Sequence, residues 1–427
     1  MSNLNTLFFE LIRVAIGTQE SLSRLPSEAE WEELFEMAVK QSLVGVCFTA
    51  LHRLGADSDE GFAQIGMSEE LYFDWMGMAA QINMRNEQVN RQCVELQKRL
   101  AAEGFRSSIL KGQGIAALYR LHENDNDPSA SSGTNENCRQ DGSLHPKPST
   151  INLSGFRQSG DIDIYVDCGR EKAIEYARSI QGEVDWDYKH LHLNVFDTST
   201  GSATDTAVEM HYVPEVFLNL RKNRKLQKWF SENQKMIFNE NEDVNENDPS
   251  AGSGTSLSGE MVCPSVEFNL FYILLHTYRH FLYEGVGMRQ LMDYCFVLRA
   301  CSNVPSSRIQ EVTRIIESFG MKKFASGVMW IMKEVFGMAE QLLLVEPDEK
   351  EGRYILSEVM TGGNFGHHDE RLTIGVKGKI GAVMKIMKHS IDIGLHYPVD
   401  MIWAPINIVH HWGWKRYHML FDKQRKS

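Results

Sequence analysis

The first hundred residues carry apolar positions at helical spacing. Residues 6–17 form a short amphipathic segment, and Trp31, Leu34, Phe35 and Ala38 follow Pro26-Ser27-Glu28-Ala29-Glu30 at intervals of one, three and four. Ser27 is placed as an N-cap there, with Glu30 three residues on to complete a capping box. A longer helical pattern covers residues 68–103 and is expected to stop at Gly104, since glycine readily adopts the left-handed conformation that ends helices. The period then falls from 3.6 to 2. Residues 105–110 read as a short strand ending in Lys111-Gly112-Gln113-Gly114, with a helix over 115–121. Residues 160–167 (GDIDIYVD) alternate strictly, 170–181 read as a helix ending at Gly182, and 190–197 and 206–212 are further strands. After Pro264 the helical period returns over 265–284, 288–300, 306–319 and 322–336.

Two polar stretches break this order. Residues 123–156 are rich in Asn, Ser, Asp, Gly and Pro, and 239–262 hold six acidic residues and no basic one. Neither has the apolar surface to order itself, so the first is expected to be a disordered insertion and the second an acidic low-complexity linker. The division that follows is an N-terminal helical region (1–104), an α/β core (105–238), the linker (239–262) and a C-terminal helical domain (263–427).

Composition narrows the possible functions. The chain has 427 residues, 42% of them hydrophobic, enough to bury a sizeable core. Lys and Arg number 44 against 57 Asp and Glu, a net charge of −13, which argues against a dedicated nucleic-acid surface. The seven cysteines form no CxxC pair, and no run of 18 apolar residues occurs. A structural zinc site, a disulfide framework and a spanning helix are therefore not expected, a membrane is not an expected partner, and the cytoplasm is the expected location.

The densest chemistry lies at Gly160-Asp161-Ile162-Asp163-Ile164-Tyr165-Val166. On a strand, Asp161 and Asp163 share one face while Ile162, Ile164 and Val166 share the other. Two adjacent carboxylates repel unless a cation compensates; an acidic edge strand in solvent is the alternative reading. Oxygen-only ligands suit Mg²⁺ or Mn²⁺. In Ala207-Val208-Glu209-Met210-His211-Tyr212, Glu209 would add a third acid if the two strands pair. Three carboxylates of this kind suit two-metal phosphoryl and nucleotidyl transfer. Upstream, Lys111, Gly112 and Gln113 form a strand-to-helix turn whose glycine lets a phosphate approach the backbone.

The order LKG, then an Arg shortly before GDIDIYV, then VEMH resembles the uncharacterised nucleotidyltransferase family of bacteria, within the DNA-polymerase-β-like superfamily. The downstream segments HTYRH (276–280), GVGMRQLMD (285–293) and GNFG (363–366) add to the likeness. The resemblance implies an α+β fold: a small mixed-sheet nucleotidyltransferase core flanked by N-terminal and C-terminal helical regions. It implies a Mg-dependent enzyme that moves an NMP from an NTP to an unidentified acceptor. Asp161, Asp163 and Glu209 would be catalytic residues and metal ligands, and Lys111, Gly112, Gln113 and Gly160 would hold the nucleotide. One departure stands out: the usual Gly-Ser or Gly-Gly turn is Gly112-Gln113 here, so Gln113, Lys111 or backbone amides must replace the serine. The same departure suits the alternative of a catalytically inactive nucleotide-binding or partner-binding regulatory protein.

Other candidates are read more plainly. His276 and His280, four apart, are taken as packed or hydrogen-bonded core histidines, Arg289 and Asp293 as a simple helix ion pair, and Arg157 as a solvated loop arginine. His190, His192 and His211 could cluster on the sheet, but no histidine metal site is expected. From 371 onward, ten Lys or Arg face three Asp or Glu among several aromatic residues. This end is expected to pack back on the body, with Pro398 and Pro405 interrupting any long amphipathic helix.

Overall fold

Local signals account for most element ends. The structure, a computed structural model, describes residues 3–56, 61–116, 118–119, 153–194, 206–240, 261–362 and 393–424. Helices α1 (Asn3–Ala15), α2 (Glu28–Lys40) and α3 (Val44–Arg53) come first. Ser27 caps α2 in a full capping box with Glu30. Helix α4 (Glu69–Ala102) has Ser68 as its N-cap and ends before Gly104 at φ +80°. Its 34 residues make a rod of about 50 Å.

The sheet follows. Strand β1 (Ser107–Ile109) leads through Gly112 into helix α5 (Gln113–Ala116). Strand β2 (Ile162–Val166), helix α6 (Gly169–Gln181), and strands β3 (His190–Leu193) and β4 (Val208–His211) complete the unit. The strand order is β1-β2-β4-β3. Strand β2 pairs antiparallel with β1 and parallel with β4, and β3 pairs antiparallel with β4, so the sheet is mixed. The chain continues as α7 (Leu220–Glu232), α8 (Val266–Tyr283), α9 (Met288–Ala300), α10 (Ser306–Ser318), α11 (Lys322–Glu334), α12 (Glu349–Gly362) and α13 (Trp403–Gln424). The protein is a mostly helical α+β molecule with one small mixed sheet.

Two apolar cores organise it. One joins the N-terminal helices to the C-terminal ones, with Phe8, Trp31, Leu51 and Trp75 in the same cluster as Phe271, Phe296 and Met329. The other lies under the sheet, where Ile162, Ile164, Val166, Leu191, Val208 and Met210 meet Val89, Cys93 and Leu96 of α4 and Ala173 of α6. Helix α4 therefore serves both cores, and it holds the sheet against the helical body. The opposite face of the sheet, which carries Asp163, Glu209 and His211, looks towards α8 and α9.

Several expectations need revision. The expected insertion extends to residue 156, yet residues 153–156 form a helical turn with Leu153 buried, and Asn86 donates to the Gly155 carbonyl at 2.6 Å. The expected linker extends to residue 262, yet Met261 is buried and the Ile109 amide donates to the Val262 carbonyl at 3.0 Å. Pro405 does not prevent a long C-terminal helix: α13 runs for 22 residues with this proline in its first turn, where a missing N–H breaks no intrahelical bond. Its Trp414 meets Trp186 edge-on at 5.5 Å, with the Arg170 guanidinium over the Trp414 ring. The rest of the insertion, residues 241–260 of the acidic stretch, the Gly-rich turn at 363–366 and residues 371–392 lie outside the described residues. Among the described residues, no helix is long and apolar enough to cross a membrane.

Candidate functional site

The Lys111 turn is shaped by two glycines. Gly112 sits at φ +60°, a left-handed conformation that side chains disfavour. At Gly114 a Cβ would lie 2.4 Å from the Ile109 carbonyl oxygen, so only glycine lets the chain double back there. The Leu110 amide donates to the Asp163 carbonyl at 2.9 Å, which fixes the turn beside β2. Lys111 thereby brings its amine within 2.9 Å of Asp163 Oδ1.

Strand pairing brings the acids together. Asp163 lies directly across from Glu209 on the parallel neighbour, and His211 lies across from Tyr165. On the far side of β4, His190 faces His211 and His192 faces Glu209. His211 Nε2 is 3.0 Å from Asp163 Oδ1 and 3.4 Å from Glu209 Oε2. His190 Nε2 is 3.7 Å from Glu209 Oε1. Asp161 is exposed at the mouth of the strand.

The charges respond to this crowding. Burial alone would raise the Asp163 carboxyl, but Lys111 and His211 outweigh it and hold it below the usual carboxylate range. Glu209 follows the same pattern: burial opposes its charge, and His211, Lys111 and His190 together lower it. Asp161 moves the other way, raised by burial and by repulsion from Asp163 and Glu209. Burial and the neighbouring His211 push His190 down to about 4, so its ring is neutral at pH 7.

These groups form one wall of a cavity of about 530 Å³. Lys111, Gly112, Gly160, Asp161, Asp163, His190 and Glu209 line it from the sheet side. From α8 come His276, Thr277, Arg279 and His280, and from α9 come Arg289, Gln290 and Asp293. Carboxylates are donors that a divalent cation takes, although the metal-compatible cluster among the described residues is His190, Glu209 and His211 and includes neither aspartate. Asp161, Asp163 and Glu209 open onto one cavity, where burial first and then repulsion from the other two acids raise Asp161.

Gln113 departs from its expected role. Its side chain is buried and donates to Asn90 Oδ1 at 2.7 Å, so it turns towards α4, whereas Lys111 and Gly112 line the cavity.

Residues read plainly from sequence also reach the cavity. Arg157 is buried and forms a bidentate pair with Asp293, at 2.6 and 2.7 Å, and Tyr119 donates to the same carboxylate at 2.9 Å. Asp293 thus pairs across the fold with Arg157, while Arg289 donates to the Gln158 carbonyl at 2.9 Å. Burial and the neighbouring Arg157 lower Arg289 to about 10, and its Nε is buried without a hydrogen-bond partner among the described residues. His276 is hydrogen-bonded, its Nδ1 2.8 Å from Glu215, and His280 Nδ1 lies 2.8 Å from Glu284, yet both also line the cavity.

Lys189, Glu215 and Arg279 escaped the sequence reading. Glu215 is fully buried and gathers His276 at 2.8 Å, Arg279 at 3.1 Å and Lys189 at 3.4 Å. Burial opposes its charge, but Arg279 and Lys189 outweigh that and keep it ionised. The available hint was an acid after Pro214 in an apolar stretch, a position that needs buried cations.

A family model described as "uncharacterised nucleotidyltransferase" matches residues 27–122 and 153–337, about two thirds of the chain. The match omits 123–152, the bulk of the insertion, and ends before α12 and α13. No curated protein and no solved structure matches the chain.

Proposed function

The chain belongs to the uncharacterised nucleotidyltransferase family, and we propose that it is a Mg²⁺-dependent enzyme transferring an NMP from an NTP to an acceptor nucleophile. A cytoplasmic setting and a place in the DNA-polymerase-β-like superfamily belong to the same reading. The observation that carries it is the Asp163–Glu209 pair across a parallel ladder, beside exposed Asp161 and open to the cavity.

Asp161, Asp163 and Glu209 are the groups that would hold Mg²⁺. When bound there, the ion would lower the pKa of an acceptor hydroxyl and neutralise charge on the departing pyrophosphate. Lys111 offsets the Asp163 charge from the turn, and the Gly112 backbone leaves room for a phosphate. Arg289 and Lys189 present cationic groups from opposite walls, suited to orienting a polyphosphate chain. His211 ties Asp163 to Glu209 and fixes their spacing. His211, Lys111 and His190 lower Glu209, which suits it to the role of a charged ligand. The acceptor would lie against α8, near His276 and Thr277.

The test uses full-length protein with Mg²⁺, α-labelled ATP and a small-molecule extract. Pyrophosphate release is expected in the native protein and a drop of about 100-fold or more in Asp163→Asn, with unchanged circular dichroism. Equal release from both proteins removes Asp163 from the mechanism. The inward turn of Gln113 favours a second reading, a nucleotide-binding regulator without turnover. ATP binding by calorimetry with no pyrophosphate release would select it.

A further inference from the structure

We propose that His190, Glu209 and His211 form a binding site for a borderline transition-metal ion, with Zn²⁺ the best fit. The three side chains offer ligand atoms that all lie within 4.8 Å of one another. A tetrahedral zinc ion about 2.1 Å from each donor keeps those donors about 3.4 Å apart. His211 Nε2 is 3.4 Å from Glu209 Oε2, and His190 Nε2 is 3.7 Å from Glu209 Oε1. These two contacts reach different oxygens of the Glu209 carboxylate, so side-chain adjustment closes the site around the ion.

Strand pairing produces this geometry: His190 faces His211 across the β3–β4 ladder, and their rings lie 5.1 Å apart. Their Nδ1 atoms are buried without hydrogen-bond partners among the described residues. His192 faces Glu209 from the same edge strand, is exposed, and places its ring 5.2 Å from that of His190. It can supply a fourth donor, or leave that position to solvent.

Donor chemistry separates this site from the oxygen-only one. Two imidazoles and a carboxylate select zinc, cobalt or nickel over Mg²⁺, which prefers carboxylates and water. In the present arrangement His211 Nε2 also contacts Asp163, and the bound ion would replace the proton shared there. The site shares Glu209 with the proposed transfer centre but does not rest on that reading, because metal uptake is measured without nucleotide.

The experiment titrates metal-stripped full-length protein with ZnCl₂ and CoCl₂, using MgCl₂ as comparison. Calorimetry gives affinity and stoichiometry, and visible absorption reports the coordination of Co²⁺. One equivalent of Zn²⁺ is expected to bind more tightly than Mg²⁺, with cobalt bands of a low-coordinate nitrogen and oxygen site. His190→Gln should weaken zinc and cobalt binding by about tenfold or more. Equal zinc affinity in native protein and His190→Gln, or zinc binding no tighter than that of Mg²⁺, overturns the proposal. If His190→Gln loses its helical circular dichroism, Glu209→Gln supplies the same comparison. ATP binding in the same preparations bears on the transfer reading alone.

Discussion

His211 bridges two acids: its Nε2 lies 3.0 Å from Asp163 Oδ1 and 3.4 Å from Glu209 Oε2, although the acids come from different strands. One imidazole therefore sets the spacing of two carboxylates that burial and mutual repulsion would otherwise separate. With Lys111 it keeps both ionised. The surrounding wall repeats this arrangement around Glu215 and Asp293, each a buried acid gathering cations from distant segments.

Acid stability should show two components. His190 is lowered from 6.5 to about 4, so the unfolded chain takes up its proton first, and stability falls as pH drops from 6.5 towards 4. Asp163 and Glu209 are also depressed; their contribution is present above the ordinary carboxylate range and is lost as pH falls below it. Urea midpoints across this range should decline, and His190→Gln should lessen the fall in its upper part, to which His276 and His280, also lowered by burial, contribute. A profile identical to that of the native protein would contradict the burial of a neutral ring.

Removing one partner of the Arg157–Asp293 pair leaves a buried charge. Asp293→Ala and Arg157→Ala should each cost about 3–5 kcal/mol. The double variant should lose less than the sum, because neither ion is then stranded. Urea unfolding of the three variants measures the coupling; additive losses would show that the pair is not a unit.

Arg289→Met tests the cationic wall without removing a carboxylate. The Arg289 head donates to the Gln158 carbonyl and has a free Nε beside the cavity. Under the transfer reading, Mg-ATP binding by calorimetry should weaken by about tenfold, with a small change in melting temperature. Unaltered ATP affinity would place the phosphates elsewhere.

Gly114→Ala should disturb the Lys111 turn from behind. Its new Cβ would meet the Ile109 carbonyl at 2.4 Å, and backbone atoms cannot yield as a side chain can. A loss of about 1–3 kcal/mol is expected. The companion change Gly104→Ala has open space around it, and its cost comes from φ alone. Thermal melts that rank Gly104→Ala as the worse variant would argue against the clash.

Much of this architecture follows from short-range rules. Ser27 and Glu30, Ser68, Gly104 and Gly182 mark helix ends because capping and left-handed backbone act over a few residues. The alternation of 160–167 assigns Asp163 and Ile164 to opposite faces for the same reason. What those rules leave open is who stands across the ladder. Glu209 faces Asp163 only because β2 and β4 pair in parallel, and His190 joins them only because β3 closes the sheet on the other edge. The mixed sheet was reached through family likeness; strand order is a long-range choice that alternation does not encode. Likewise Arg157 looks like a loop residue until Asp293, 136 positions later, removes it from water. Gln113 looks like a phosphate ligand until Asn90 on α4 takes its side chain. Burial and cross-chain pairing depend on the packing of whole elements, and they decide which polar residues meet at the cavity.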